Sequence, residues 1–385
     1  MLNINIYRIL KFFLFLFLFV FILTLESCAR VDDWFKYNAP ILAKYTSECL
    51  REYDAEGIRH NIPFVRFEKW RINNMGFRGE DIDLHAEKNK IKVVCMGASE
   101  TFGLYETENN EWPAQLGRLL GDKYCVINAS VVGQFLESWQ KYLAKYIMNV
   151  APDIIILHIN PFKYSQGNIS ERNSNTEKKR VESAAQRTSL GINVISVIKS
   201  VKEDLRIIPK IKQVLKGVLP DRLVKHYQLM SMKKQVEEKQ ERVLGEMSPS
   251  DSLPETNIAL FKRDLEALIT YLKSKNIQII VTSYPMLLNK KNIDEYPEIF
   301  FDFRRFYIDF SLIGLIDAQS KFNDSCREVA QSYGLDFVDL DAALPKTTCE
   351  FGDNVHYTDQ GAEIIAKAVS NSIQKSSEMQ LTITN

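Results

Sequence analysis

Three residues of the chain have side chains that could together activate a serine as a nucleophile. Asp353 and His356 lie three residues apart near the C-terminus. On a turn, this spacing lets the carboxylate bond the imidazole Nδ1 atom, which fixes the tautomer of the ring and stabilises its protonated form. The other ring nitrogen, Nε2, is then free to take a proton from a serine hydroxyl. Ser99 is the candidate serine, because it lies in the glycine-flanked segment 97–103, GASETFG.

The segment 97–103 directly follows a short apolar run, 91–96, that is typical of a buried parallel strand. A serine at a strand-to-helix turn exposes its hydroxyl where the start of the helix favours negative charge. The segment is not the G-x-S-x-G elbow of α/β-hydrolases, because Thr101 replaces the second glycine. It also lacks the Gly-Lys-Ser/Thr ending of a P-loop.

Apolar runs alternate with helical stretches along most of the chain. The predicted strands cover residues 91–96, 124–128, 153–157, 277–282 and 336–340. The predicted helices cover residues 112–120, 135–149, 258–275, 321–332 and 360 to about 375. This alternation predicts an α/β fold with a doubly wound, flavodoxin-like, five-stranded parallel sheet. In such sheets ligands bind at the carboxyl ends of the strands, where the candidate residues are expected to meet.

The composition excludes several classes of protein. The 385 residues include 49 Lys+Arg and 49 Asp+Glu, so the net charge is zero, and 45% of residues are hydrophobic. This hydrophobic content argues against intrinsic disorder. The neutral balance argues against nucleic acid as a partner, because phosphate binding requires a basic surplus. The length allows roughly one to three domains.

The N-terminus has the features of an export signal. The apolar run 12–25, FFLFLFLFVFILTL, follows Arg8 and Lys11, as in the basic and apolar regions of a secretory signal. Residues 25–28, LESC, resemble a bacterial lipobox, in which the cysteine, here Cys28, is lipidated and becomes the new N-terminus. Three alternatives stay open: a lipoprotein, an uncleaved membrane anchor and a cleaved signal peptide. All three place residues 29–385 outside the cytoplasm, on the periplasmic or cell-surface side of a bacterial membrane.

Four segments together resemble the SGNH/GDSL hydrolase family in their order and spacing. They are residues 97–103, 126–133 (VINASVVG), 157–160 (LHIN) and 353–356 (DNVH). The resemblance covers roughly residues 70–165 and 255–378. It implies a serine esterase that hydrolyses acetyl or acyl esters and that requires no metal or organic cofactor.

The resemblance also implies a role for each matching residue. Ser99 matches the nucleophile of the family, and Asp353 and His356 match its D-x-x-H pair. Gly133 and Asn160 match the residues that form the oxyanion hole together with the Ser99 N–H group.

The chain departs from the family pattern at three positions. Ala98 replaces the aspartate of Gly-Asp-Ser, and His158 and Pro161 replace the glycine and the aspartate of Gly-x-Asn-Asp. His158 is interpreted as a structural histidine rather than as a second imidazole of the site. The family includes lipases, carbohydrate acetylesterases and acyltransferases, and export favours an envelope glycan or lipid as the substrate. The alternatives are an O-acyltransferase that acts on an envelope polysaccharide and a non-catalytic envelope protein with the same fold.

The predicted organisation has six parts. Residues 1–28 are the signal or anchor, 29–88 a lead-in with a hairpin near 71–79, 89–165 the first part of the hydrolase core, 166–256 a helical insertion, 257–378 the second part and 379–385 a tail. Within the insertion, apolar residues at 194–208 recur at helical spacing opposite a basic face. Such a helix either packs on the main domain or lies on an anionic membrane, and packing is the preferred interpretation.

Overall fold

The computed structural model describes residues 2–37, 41–42, 47–165, 221–244 and 248–384, together with single positions between 205 and 214. The predicted helix at 194–208 therefore falls mostly outside the described residues. Helix α1 (Leu2–Tyr37) is the first element of the chain. It is followed by a lead-in in which strand β1 (Arg51–Tyr53) pairs with β2 (Arg59–Asn61), and β3 (Arg66–Phe67) pairs with β4 (Trp70–Arg71).

The hairpin predicted near residues 71–79 is confirmed. Ile72 and Arg78 form an antiparallel bridge, and Gly76 turns the chain with a φ of 83°. A φ in this region is available to glycine without steric cost. Arg78 also bridges to Asn128, so the hairpin joins the lead-in to the central sheet.

The central sheet has five strands. They are β5 (Ile91–Met96), β6 (Tyr124–Asn128), β7 (Ile154–Leu157), β8 (Gln278–Thr282) and β9 (Asp336–Val338). They lie in the order β6-β5-β7-β8-β9, and every neighbouring pair is parallel. The predicted α/β class and the flavodoxin-like order are thus confirmed.

Helices connect these strands. They are α2 (Ser99–Phe102), α3 (Trp112–Leu120), α4 (Leu136–Tyr142), α5 (Asp221–Leu244), α6 (Glu255–Lys273), α7 (Pro297–Arg304), α8 (Leu312–Ser332), α9 (Leu340–Ala343) and α10 (Asp359–Thr384). Some of them differ from the prediction. Helix α8 begins before residue 321, since the Ser311 hydroxyl caps it by accepting the Gly314 N–H at 3.1 Å. Helix α10 continues past residue 375 into the predicted tail, and α7 and α9 were not predicted.

The alternation of side chains along each strand divides the core into two layers. Val94 and Met96 pack on one face of the sheet, where α4, α6 and α8 cover them. Val93 and Cys95 pack on the other face, against α3 and α10. Because successive strand residues point to opposite faces, a continuous apolar run such as 91–96 is buried on both sides.

Helix α1 extends away from this core. Residues 9–23 are exposed along the whole of this stretch. Among the described residues, α1 is the helix that is long and apolar enough to cross a membrane. The apolar run thus contacts little of the core. Contacts begin at Glu26, whose carboxylate accepts the N–H groups of Arg206 at 3.1 Å and Ile207 at 3.0 Å.

Candidate active site

The order of the strands brings three of the candidate residues together. Ser99 follows β5, Gly133 lies in the connection after β6 and Asn160 lies in the connection after β7. Since β5 is the neighbour of both other strands, these three connections leave the same edge of the sheet side by side. Asp353 and His356 reach this edge from the loop that precedes α10.

A close approach of the backbone shapes the turn that carries Ser99. A Cβ atom added at Gly97 would lie 2.0 Å from the Thr101 hydroxyl oxygen and 3.2 Å from the His158 carbonyl oxygen. No other residue type fits this position without displacing its neighbours. Helix α2 then begins at Ser99 and ends at Phe102, and the capping residue Gly103 has a φ of 86°.

Ser99, His356 and Asp353 form a continuous hydrogen-bonded relay. The Ser99 Oγ atom lies 2.8 Å from His356 Nε2, and the Asp353 Oδ2 atom lies 2.7 Å from His356 Nδ1. Both distances fall within the range expected for a serine, its base and the group that orients the base. The structure therefore brings together the three residues that the sequence singled out.

The local turn holds Asp353 in place and keeps it charged. Its Oδ1 atom accepts the backbone N–H groups of Val355 and His356, each at 2.9 Å. Burial by itself would raise the pKa of Asp353, but the hydrogen bond from His356 and these two N–H groups outweigh it and lower the pKa. Burial likewise opposes protonation of His356, but the Asp353 carboxylate outweighs it and raises the pKa of the imidazole.

Gly133 and Asn160 line the same cavity as Ser99, which has a volume of about 210 Å³. Gly133 has a φ of 73°, which turns the chain at the edge of the cavity. The Asn160 amide is held at both ends: Nδ2 donates to Glu100 Oε1 at 2.5 Å, and Oδ1 accepts the Phe162 N–H at 3.1 Å. Asn160 thus lines the cavity although a proline follows it in the sequence.

Aromatic and apolar side chains form the opposite wall of the cavity. Phe135 contributes from the connection before α4, and Ile299 and Phe303 contribute from α7. Phe306 lies at the rim and is 56% exposed. The wall also contains one acid, Asp302, which is paired with Arg305 at 2.9 Å. The cavity thus presents a mostly apolar surface opposite the Ser99 hydroxyl.

His158 has a structural environment, as the sequence interpretation expected. It is fully buried, its Nδ1 atom lies 2.8 Å from the Thr282 hydroxyl, and its Nε2 atom lies 2.9 Å from the Tyr357 hydroxyl. Burial lowers the pKa of His158 to about 3, so the ring is neutral at physiological pH. Both ring nitrogens are thus occupied by hydroxyl groups.

Several residues near the site were not anticipated from the sequence. The Tyr105 ring stacks on the His356 ring with centroids 5.6 Å apart. Gly352 makes room for this contact, since an added Cβ there would lie 2.5 Å from the Tyr105 ring. Glu100 and Tyr284 form a buried hydrogen-bonded pair beneath Asn160. The one signal that pointed to Glu100 was its position next to Ser99.

No family model and no curated protein match the chain. Similar solved structures include a lipase/acylhydrolase from Enterococcus faecalis, with 14% identity and a TM-score of 0.41, covering 74% of this chain and 96% of that one. They also include a GDSL-like lipase from Bacteroides thetaiotaomicron, with 13% identity and a TM-score of 0.38, covering 77% and 93%. A carbohydrate acetylesterase from Sinorhizobium meliloti has 8% identity and a TM-score of 0.41, covering 74% and 99%. The similar structures thus include GDSL-type lipases and acylhydrolases, the family that the sequence motifs resemble.

Proposed function

We propose that this chain is an SGNH-type serine esterase with Ser99 as its nucleophile. The observation that carries the proposal is the relay from Ser99 Oγ through His356 to Asp353, with distances of 2.8 and 2.7 Å. The relay opens into a cavity that is suited to an acyl group. A hydroxyl, a base and an orienting carboxylate in this arrangement are the parts that acyl transfer requires.

In the proposed reaction, Ser99 Oγ attacks the ester carbonyl carbon while its proton passes to His356 Nε2. The Ser99 N–H, the Gly133 N–H and Asn160 Nδ2 hold the negative oxygen of the tetrahedral intermediate. Collapse of the intermediate breaks the ester C–O bond, and the leaving alcohol takes the proton from His356. Water then attacks the acyl-enzyme by the same route, with His356 as the base, and releases the acid.

The size of the cavity favours a small acyl group. Its volume of about 210 Å³ lies below the range of roughly 300–1,000 Å³ typical of sites for drug-sized ligands. We propose an acetyl or other short acyl ester of a cell-envelope glycan or lipid as the substrate. The alcohol part of the ester would remain at the open side of the cavity, near Phe306.

We further propose that α1 holds the enzyme at the outer face of a bacterial membrane. Arg8 and Lys11 precede the apolar run, and positive charge favours the cytoplasmic side. The rest of the chain would then lie on the exported side. Attachment by the uncleaved helix is the form that we propose, because the helix continues without a break through Cys28 and Glu26 is engaged by the segment at 206–207. Lipidation of Cys28 is the alternative.

The proposal is tested by labelling the protein with a fluorophosphonate probe and by hydrolysis of p-nitrophenyl acetate. Ser99→Ala is expected to abolish labelling and to lower kcat by several orders of magnitude. Ser274→Ala, which changes an exposed serine at the end of α6, is the matched control and should label normally. A Ser99→Ala protein that still hydrolyses the ester would refute the proposal. Product analysis with an added glycan acceptor distinguishes hydrolysis from O-acyl transfer.

A further inference from the structure

Glu100, the residue after Ser99, is buried beneath the cavity. Its exposed fraction is 1%, and it forms no ion pair with the lysines and arginines that the structure describes. Burying a carboxylate is costly unless specific groups compensate for the lost water. The burial of an acidic residue directly beside the proposed nucleophile therefore suggests a specific role for its carboxylate.

The hydrogen bonds of Glu100 point towards the proposed oxyanion hole. Its Oε1 atom accepts both the Asn160 amide and the Tyr284 hydroxyl. Burial, together with the Glu100 carboxylate, raises the pKa of Tyr284 well above its usual value, so the hydroxyl stays a donor. The other oxygen, Oε2, has no hydrogen-bond partner among the described residues. The contacts of the carboxylate are thus concentrated on the oxygen that meets Asn160.

The second contact of Asn160 fixes the orientation of its amide. Because Oδ1 accepts the Phe162 N–H, the Nδ2 atom must face Glu100. Nδ2 carries two hydrogens, and the bond to Glu100 uses one of them. The second hydrogen is left for a ligand oxygen in the cavity. Pro161 has no N–H group that could secure the loop itself.

We infer that Glu100 is a positioning residue, which acts through Asn160 to aim one N–H group at the oxyanion of the tetrahedral intermediate. The inference rests on the proposed esterase function and adds Glu100 to the five residues named there. A preorganised donor is effective because it does not reorient as charge develops in the transition state. Without Glu100, the amide would keep only its contact with the Phe162 N–H at Oδ1, and Nδ2 would be held less rigidly opposite the oxyanion.

A double-mutant cycle between Glu100 and Asn160 tests the inference. Removal of one oxyanion donor typically costs about 100-fold or more in kcat, so Asn160→Ala is expected to lose about that factor. Glu100→Met keeps the approximate volume and removes the acceptor, and it should lower kcat by about tenfold or more with little change in KM. In the Asn160→Ala background, Glu100→Met should cost nothing further, because the group it positions is absent.

Two further variants separate positioning from a structural role. Glu100→Gln retains an acceptor oxygen for the Asn160 amide and should restore most of the activity that Glu100→Met loses. Tyr284→Phe removes the other donor to the same oxygen and should keep kcat near that of the wild type. If Glu100→Met does not fold, as judged by thermal melting, Glu100→Ala replaces it in the cycle.

The inference is overturned if Glu100→Met lowers kcat by the same factor in the wild-type and Asn160→Ala backgrounds. It is also overturned if Glu100→Met leaves the kcat of the wild-type enzyme unchanged. Failure of the inference is distinguishable from failure of the esterase proposal. An active Ser99→Ala protein would refute the esterase, whereas an inactive Ser99→Ala protein with an additive cycle would refute the role of Glu100 alone.

Discussion

The pairing of His356 with Asp353 sets the pH at which the proposed base works. His356 must be neutral to accept the Ser99 proton. Because the carboxylate raises the pKa of His356 above its usual value of about 6.5, kcat/KM should fall as the pH drops, with a midpoint above about 6.5. Measurement of kcat/KM for p-nitrophenyl acetate between pH 5 and 9 checks this. A midpoint at or below that value would contradict the pairing.

Replacing Asp353 by asparagine should affect both the rate and this midpoint. In a triad with preserved geometry, loss of the orienting carboxylate favours the wrong imidazole tautomer and lowers kcat by about 10⁴. The midpoint should also move to lower pH, since the charge that favours the imidazolium is removed. Asp251→Asn, at an exposed position before α6, is the control. An unchanged midpoint in Asp353→Asn would show that the carboxylate does not act on His356.

Sequence reasoning could anticipate some of these residues and not others. Ser99, Asp353 and His356 each belong to a short motif, so the motif marks them before the fold is known. Tyr284 has no such motif, and its bond to Glu100 joins residues 184 positions apart. Glu100 has the sequence context of an ordinary residue in the first turn of a helix. Its burial follows from how the connections after β5 and β7 meet, which the local sequence does not encode.

At the scale of elements, the strands were predictable and the wall of the cavity was not. A run such as 154–157 is apolar at every position because both faces of the sheet are covered. The region around α7 is rich in aromatic residues without a clear helical period, so its sequence did not predict a helix. Helix α7 nevertheless packs against α5 and supplies Ile299 and Phe303 to the cavity.

The α7 wall yields a prediction about substrate binding. Phe306 lies at the rim and is largely exposed, so Phe306→Ala should change the free energy of unfolding by no more than about 0.5 kcal/mol. It should raise KM for p-nitrophenyl butyrate several-fold with little change in kcat, because the contact is made equally in the ground and transition states. Ile313→Ala, which removes a similarly exposed side chain on α8, is the matched control. A fall in kcat at constant KM would argue against a binding role.

At the scale of the whole molecule, α1 continues from an apolar segment into a polar junction. The junction consists of Glu26 and Asp33 on the helix and the residues at 206–210 that they contact. Between Lys11 and Glu26 the helix has 14 residues without charge, about 21 Å of helix, while a bilayer core is about 30 Å thick. Long lysine and arginine side chains can extend to the membrane surface, which reduces the difference between the length of the uncharged helix and the thickness of the bilayer core. Beyond Glu26, Asp33 pairs with Lys210 at 2.9 Å. The junction would therefore lie at the membrane surface.

The junction leads to a prediction about how the protein is attached. Cleavage before Cys28 would remove Glu26 and leave the N–H groups of Arg206 and Ile207 without their acceptor. If α1 is retained, wild type and Cys28→Ser should both stay in the membrane fraction with residues 1–27 present, and neither should take up a fatty-acid analogue. Mass spectrometry of the N-terminus and metabolic labelling provide the measurements.

Cys349→Ser, at another exposed cysteine, is the control for loss of a thiol as such. The opposite result would be a wild-type protein that lacks residues 1–27 and carries the label, with the label lost in Cys28→Ser. That result would establish lipidation and refute the retained helix. Durable attachment would then depend on several acyl chains at Cys28, because a single chain binds membranes only marginally. Either outcome would leave the 29–37 part of α1 and its Asp33–Lys210 pair next to the membrane, since these residues follow the cleavage point.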